Sequence, residues 1–85
     1  MSVLNEVAVE RAKQDAKWGI QNHSPQKWLV ILGEEVGESC RGCFESDLAQ
    51  YRRELIQVAA VAVAAVESLD RNEARSELRK FLEDE

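Results

Sequence analysis

Apolar residues recur along the chain at intervals of three and four, the period of α-helices that each bury one stripe. From Val3 to Lys17 they fall at Leu4, Val7, Ala8, Ala12 and Ala16, which predicts a first helix, and Trp18-Gly19 to His23 reads as the connection after it. Ser24-Pro25 has the form of a helix start, because a serine side chain can accept from the orphan amides and proline suits the first helical position. A second helix is expected at 25–42, with Gly42 marking its end. Ser46 or Asp47 caps a third, which runs without a breaker from Leu48 to about Leu69. Asp70-Arg71-Asn72-Glu73 has the pattern of a capping box and predicts a fourth helix, ending near Leu82. No strand alternation, linker or internal repeat interrupts this order, so residues 1–85 read as a single all-α domain of four helices.

The second half of the third helix, "VAAVAVAAVESL", is apolar on every side, and such a helix is expected to be surrounded by protein. A chain of this size buries only about 60% of the surface its unfolded form exposes. A bundle completed by oligomerisation, as a homodimer or homotetramer, is therefore expected, with this helix at the subunit interface.

Composition narrows the class of partner. The chain is 45% hydrophobic with one proline and four glycines, a globular rather than disordered balance. Its formal charge of −5 argues against a nucleic-acid partner, which would need an excess of Lys and Arg on some face. Met1 to Glu6 lacks the basic and apolar regions of a signal peptide, and the longest apolar run, Val58 to Val66, falls short of the roughly 20 residues that cross a bilayer. A soluble cytoplasmic protein with no membrane partner is expected. Cys40 and Cys43 are spaced C-x-x-C, but zinc would need two more ligands and the chain has one His, so they read as small half-buried residues at the end of a helix.

The apolar run "WLVIL" passes directly into "GEEVGE", Gly33 to Glu38. Glu35 and Glu38 are neighbours on one face, and Glu35 continues the stripe that contains Ile31. On the third helix Glu54 and Gln57 repeat the spacing, with Val58 and Val61 continuing their face. If the two helices run antiparallel, the pairs face each other across the seam, where like charges repel and something positive should sit between them. Oxygen-only donors favour Mg²⁺ or Mn²⁺ over zinc. Gly33 and Gly37 each cost about 1 kcal/mol in a helix relative to Ala. That cost makes sense if a ligand or a neighbouring helix approaches the backbone there. The competing reading of the acids is a solvated surface.

"EEVGE" at 34–38 followed by "ELIQ" at 54–57 resembles the E-E-x-x-E … E-x-x-D signature of the MazG-like, all-α nucleoside triphosphate pyrophosphohydrolases. "WGIQNHSPQKWLVILGEEVGE" is also similar to that family's small dNTP pyrophosphatases, in which a His-x-Pro element precedes the acidic helix. The resemblance covers about Trp18 to Leu69. It implies an oligomeric helical bundle that binds Mg²⁺ and cleaves a nucleoside triphosphate between its α and β phosphates, giving monophosphate and pyrophosphate. It carries metal-ligand roles to Glu35, Glu38 and Glu54 and a base or outer-sphere role to Glu34. Gln57 stands where the family pattern has Asp, so the cage loses one negative charge.

Substrate contacts are open to two readings each. Trp18 and Trp28 are either core or, with His23, a platform for a nucleobase. Lys17 and Lys27 are candidates for phosphate contact. Arg71, Arg75 and Arg79 form a stripe that either meets phosphates or pairs with Glu73, Glu77 and Glu83. The leading expectation is a Mg²⁺-dependent nucleotide pyrophosphohydrolase. The alternatives are a nucleotide- or metal-binding module that has lost turnover at Gln57, and a purely structural helical oligomer.

Overall fold

The computed structural model describes residues 1–84, and among them the chain is entirely helical: α1 Val3–Trp18, α2 Pro25–Phe44 and α3 Leu48–Glu83. Local chemistry sets most of the ends. Ser2 accepts from the Asn5 amide (3.1 Å), Ser24 from Lys27 (3.2 Å) and Asp47 from Gln50 (3.0 Å), so each helix begins on a side-chain cap. Gly19 closes α1 at φ 74°, a left-handed backbone that glycine adopts without strain.

Two sequence expectations are corrected. The predicted break at Asp70 is absent, and α3 runs unbroken for 36 residues, so the described chain has three helices rather than four. An acidic residue with Glu three positions on caps a helix only where the chain is forced out of helical geometry. No proline or glycine does that here, and Arg71 bonds the Asn22 side chain (2.7 Å) and the Gln21 carbonyl (3.2 Å), fixing α3 as it passes the α1–α2 loop. Nor does Gly42 end α2, which continues to Phe44. A Cβ at Gly42 would stand 3.1 Å from the Tyr51 backbone nitrogen and 3.2 Å from its Cα, so this glycine lets α2 and α3 meet closely.

α3 is the central helix. α1 and α2 each pack on it and not on each other. Gly42 beside Tyr51, Trp28 clustered with Val61 and Ala64, and the Ser68 hydroxyl donating to the His23 carbonyl (3.3 Å) show α2 and α3 running antiparallel. α1 is tied to α3 by Arg52 on Glu6 (2.8 and 2.6 Å) and by Arg11 on Glu67 (3.0 and 3.1 Å), so it runs the same way as α3. The buried apolar core is small: Val7, Trp28, Ala60, Val61 and Ala64. The Cα radius of gyration is 16.0 Å, against about 12 Å expected for a compact domain of this length. No described helix is long and apolar enough to cross a membrane.

Candidate functional site

Because α1 and α2 flank α3 without touching, a cleft of about 420 Å³ opens between them, floored by Gln57, Val61 and Ala64 of α3. α2 supplies Trp28, Ile31 and Glu35, three positions on one helical stripe. α1 supplies Glu10, Arg11, Gln14 and Lys17 to the facing wall, and Trp18 and Gln21 stand beside them at its end. The cleft is therefore apolar around Trp28, Ile31, Val61 and Ala64 and acidic toward Glu35.

At the acidic end, Glu35 and Glu54 meet across the α2–α3 seam. Partial burial raises the pKa of Glu35 above the ordinary glutamate range. The Glu54 carboxyl adds to this by its charge and by lying close enough to share a proton, with smaller contributions from Glu38 and Glu34. Such a pair binds either a proton or a cation. Gln57 lies one turn along α3 from Glu54 and lines the same cleft, where it offers a neutral amide oxygen. Glu38 is half-buried one turn from Glu35 and stands 3.8 Å from Arg41, while Glu34 is exposed. Among the described residues no three carboxylate, imidazole or thiol groups stand together as a finished metal cage.

The aromatic residues divide between two sides of the fold. Trp18 and Trp28 both line the cleft, with Trp28 buried and Trp18 more than half exposed under the Lys17 ammonium, 4.8 Å from its ring centre. His23 packs against Trp28 at a centroid distance of 5.0 Å, but it lines a separate apolar groove of about 260 Å³ with Pro25, Leu29, Val66 and Leu69. The indole N–H of Trp28 is buried without a hydrogen-bond partner. Lys27 and Arg79 are exposed and line neither cavity. Arg71 is engaged by the α1–α2 loop, and among the described residues none of Arg71, Arg75 and Arg79 forms an ion pair.

The α1 wall is what sequence reasoning missed. Arg11 is its anchor: its side chain is 14% exposed, and besides Glu67 it reaches Asp15 (3.1 Å) and Gln14 (3.2 Å). The only local signal was the i, i+4 spacing of Arg11 and Asp15. Gly33 and Gly37 turn out to be exposed on α2, as do Cys40 and Cys43, which were expected half-buried, and a Cβ at either glycine would meet nothing within 4 Å. The glycines give room neither to a ligand beside Glu35 nor to a helix of the same chain, because their spacing from Glu35 places them on the far side of α2 from α3.

Comparison with family models, with curated proteins and with solved structures finds no match for this chain.

Proposed function

We propose that the protein is a Mg²⁺-dependent nucleoside triphosphate pyrophosphohydrolase working in the cleft between α1 and α2. The observation that carries this reading is that Glu35, at the acidic end of an open cleft whose other end is apolar and aromatic, meets Glu54 of α3. The paired, half-buried carboxylates repel each other, so the site is unsatisfied without a proton or a cation. Their oxygen-only chemistry fits Mg²⁺ or Mn²⁺, which bind through a few carboxylates and take their remaining ligands from water and substrate phosphates. Glu35 and Glu54 would hold the ion, with Glu38 and the Gln57 amide oxygen completing the protein's share. When bound, the ion supplies charge neutralisation for the phosphate oxygens and a lowered pKa for water.

The chain's own groups do the rest. Trp28, Ile31, Val61 and Ala64 offer an apolar seat for a base, with Trp18 at its rim. Lys17, held over Trp18, places a positive charge at the same end of α1. Glu34, the first acid of the pattern, orients the attacking water and accepts its proton from outside the ion's own ligands. Water adds across the α–β phosphoanhydride bond, leaving a nucleoside monophosphate and pyrophosphate. The small core and long dimensions favour a homodimer or homotetramer as the working form.

A second reading is favoured by Gln57. A neutral amide at the cleft floor leaves one negative charge fewer than the acidic pattern it resembles, which suits a module that binds nucleotide and metal without turnover. Incubation with a panel of NTPs and dNTPs and Mg²⁺ or Mn²⁺, followed by pyrophosphate detection, decides between them. Release that vanishes in Glu54→Gln supports the enzyme. Calorimetric binding without release supports the module, and neither binding nor release removes both.

A further inference from the structure

On the α1 wall of the cleft, one side-chain amide is held in a single orientation, and the contacts that hold it start at Arg11. Glu67 of α3 accepts from Nε and Nη2 of Arg11 (3.1 and 3.0 Å), and Asp15 takes a further contact from Nη2 (3.1 Å). The remaining nitrogen, Nη1, donates to Gln14 (3.2 Å). A guanidinium has five N–H donors and no acceptor, so the Gln14 atom that meets it is the amide oxygen. Exchanging the two ends of the amide would set N–H against N–H. The amide nitrogen of Gln14 is thus left to donate elsewhere, on a residue that lines the cleft.

The apolar half of the cleft holds no fixed acceptor to balance that donor. Asp15 is taken by Arg11, and Lys17 is a cation lying over Trp18. On the opposite wall the indole N–H of Trp28 is buried with no partner in the chain, a second donor that lacks an acceptor. The side-chain amide of Gln21, beyond Trp18, is pinned by no bond among the described residues and turns to suit either partner. The acceptors Glu10, Glu35 and Gln57 belong to the other half. Glu10 stands one turn before Gln14 on α1, and with Gln57 it also lines a neighbouring recess between α1 and α3. A ring seated on Trp28 and Ala64 therefore meets donors at its edge. A carbonyl oxygen arriving there is matched, whereas an amino group leaves both itself and the Gln14 amide nitrogen without a partner.

We propose that Gln14, oriented by Arg11, makes the cleft select nucleotides whose base carries an oxo group, the 4-oxopyrimidines and 6-oxopurines, over their amino counterparts. This rests on the nucleotide reading above and narrows it to a substrate class. Gln14 determines specificity by touching the base edge, and Arg11 is a positioning residue that acts through it.

The test uses the full chain with Mg²⁺ and two pairs of nucleotides, UTP with CTP and ITP with ATP. Within each pair only the oxo-for-amino exchange and the ring proton that accompanies it differ. Calorimetric titration and pyrophosphate release are both measured. UTP and ITP should be favoured by about tenfold, the scale of one hydrogen bond lost and one donor left unpaired. The difference should lie in Kd and KM and not in kcat, because the base edge makes the same contact before and during the reaction. Gln14→Glu keeps an oxygen for Arg11 and puts a second oxygen where the amide nitrogen stood, so the preference should reverse toward CTP and ATP. Gln14→Leu should abolish it. Arg11→Lys keeps the charge beside Glu67 but loses the fork that reaches Gln14, and it should relax the preference with Gln14 still in place. Nucleotides taken with no difference within either pair, or with the amino base favoured, overturn the proposal and leave the nucleotide reading standing, as does a Gln14→Glu protein that keeps the native preference. A chain that neither binds nor hydrolyses any of the four overturns that reading and this proposal together.

Discussion

Glu35 of α2 and Glu54 of α3 face one another across the helix seam, and burial together with the Glu54 charge makes Glu35 harder to ionise than an ordinary glutamate. A folded-state pKa raised above the unfolded one means that the folded chain holds its proton more tightly. Stability contributed by protonated Glu35 is therefore complete below the ordinary glutamate range and is lost as pH rises through the raised value. Without metal, the melting temperature of the native chain should fall relative to Glu35→Gln as pH is taken from about 4 to about 8. Parallel curves for the two proteins would show that the carboxyls do not couple.

Gly42 and Gly37 should respond oppositely to alanine. At Gly42 the new Cβ meets backbone atoms of Tyr51 at 3.1 and 3.2 Å, and backbone cannot swing aside. Gly42→Ala should destabilise by about 1–3 kcal/mol. Gly37→Ala enters open space and should stabilise by about 0.5–1 kcal/mol through helix propensity. Denaturant unfolding of both variants checks this, and equal effects would contradict it.

Trp28 carries the core cluster with Val61 and Ala64 and also walls the cleft. Trp28→Ala should cost about 3–5 kcal/mol. Trp28→Phe should cost far less, because it removes an indole N–H that is buried without a partner. Chemical denaturation separates the two. A phenylalanine variant as unstable as the alanine one would mean that the indole N–H has a partner in solution.

Gln57→Asp restores a carboxylate at the cleft floor one turn from Glu54. Added negative charge beside Glu35 and Glu54 should lower stability in the absence of metal and raise Mn²⁺ affinity by about tenfold, the scale on which groups around a metal act. Melting curves with and without Mn²⁺ read both effects. A variant unaffected by the ion would remove Gln57 from the site.

What could be read from the sequence was local or periodic. The caps at Ser24 and Asp47 act within three residues, so their chemistry is visible in the chain itself. The meeting of Glu35 and Glu54 follows from helical period and an antiparallel turn, and the fold brings the two together. Asp70 was misread because the same four residues cap a helix or continue one, depending on whether the backbone before them is already helical. The α1 wall was hidden because Arg11 finds Glu67 across 56 residues of sequence, a pairing no local pattern encodes. Gly42 looked like a terminator because its reason for being glycine, the Tyr51 backbone, lies on another helix.

The most direct measurement is Mn²⁺ binding to the purified chain, followed by calorimetry or by the spin signal of free ion, for the native protein, Glu35→Gln and Glu54→Gln. The expected result is saturable binding to the native chain that weakens by about tenfold or more in each variant. Absence of binding, or binding that both variants keep in full, would contradict a divalent cation held between Glu35 and Glu54.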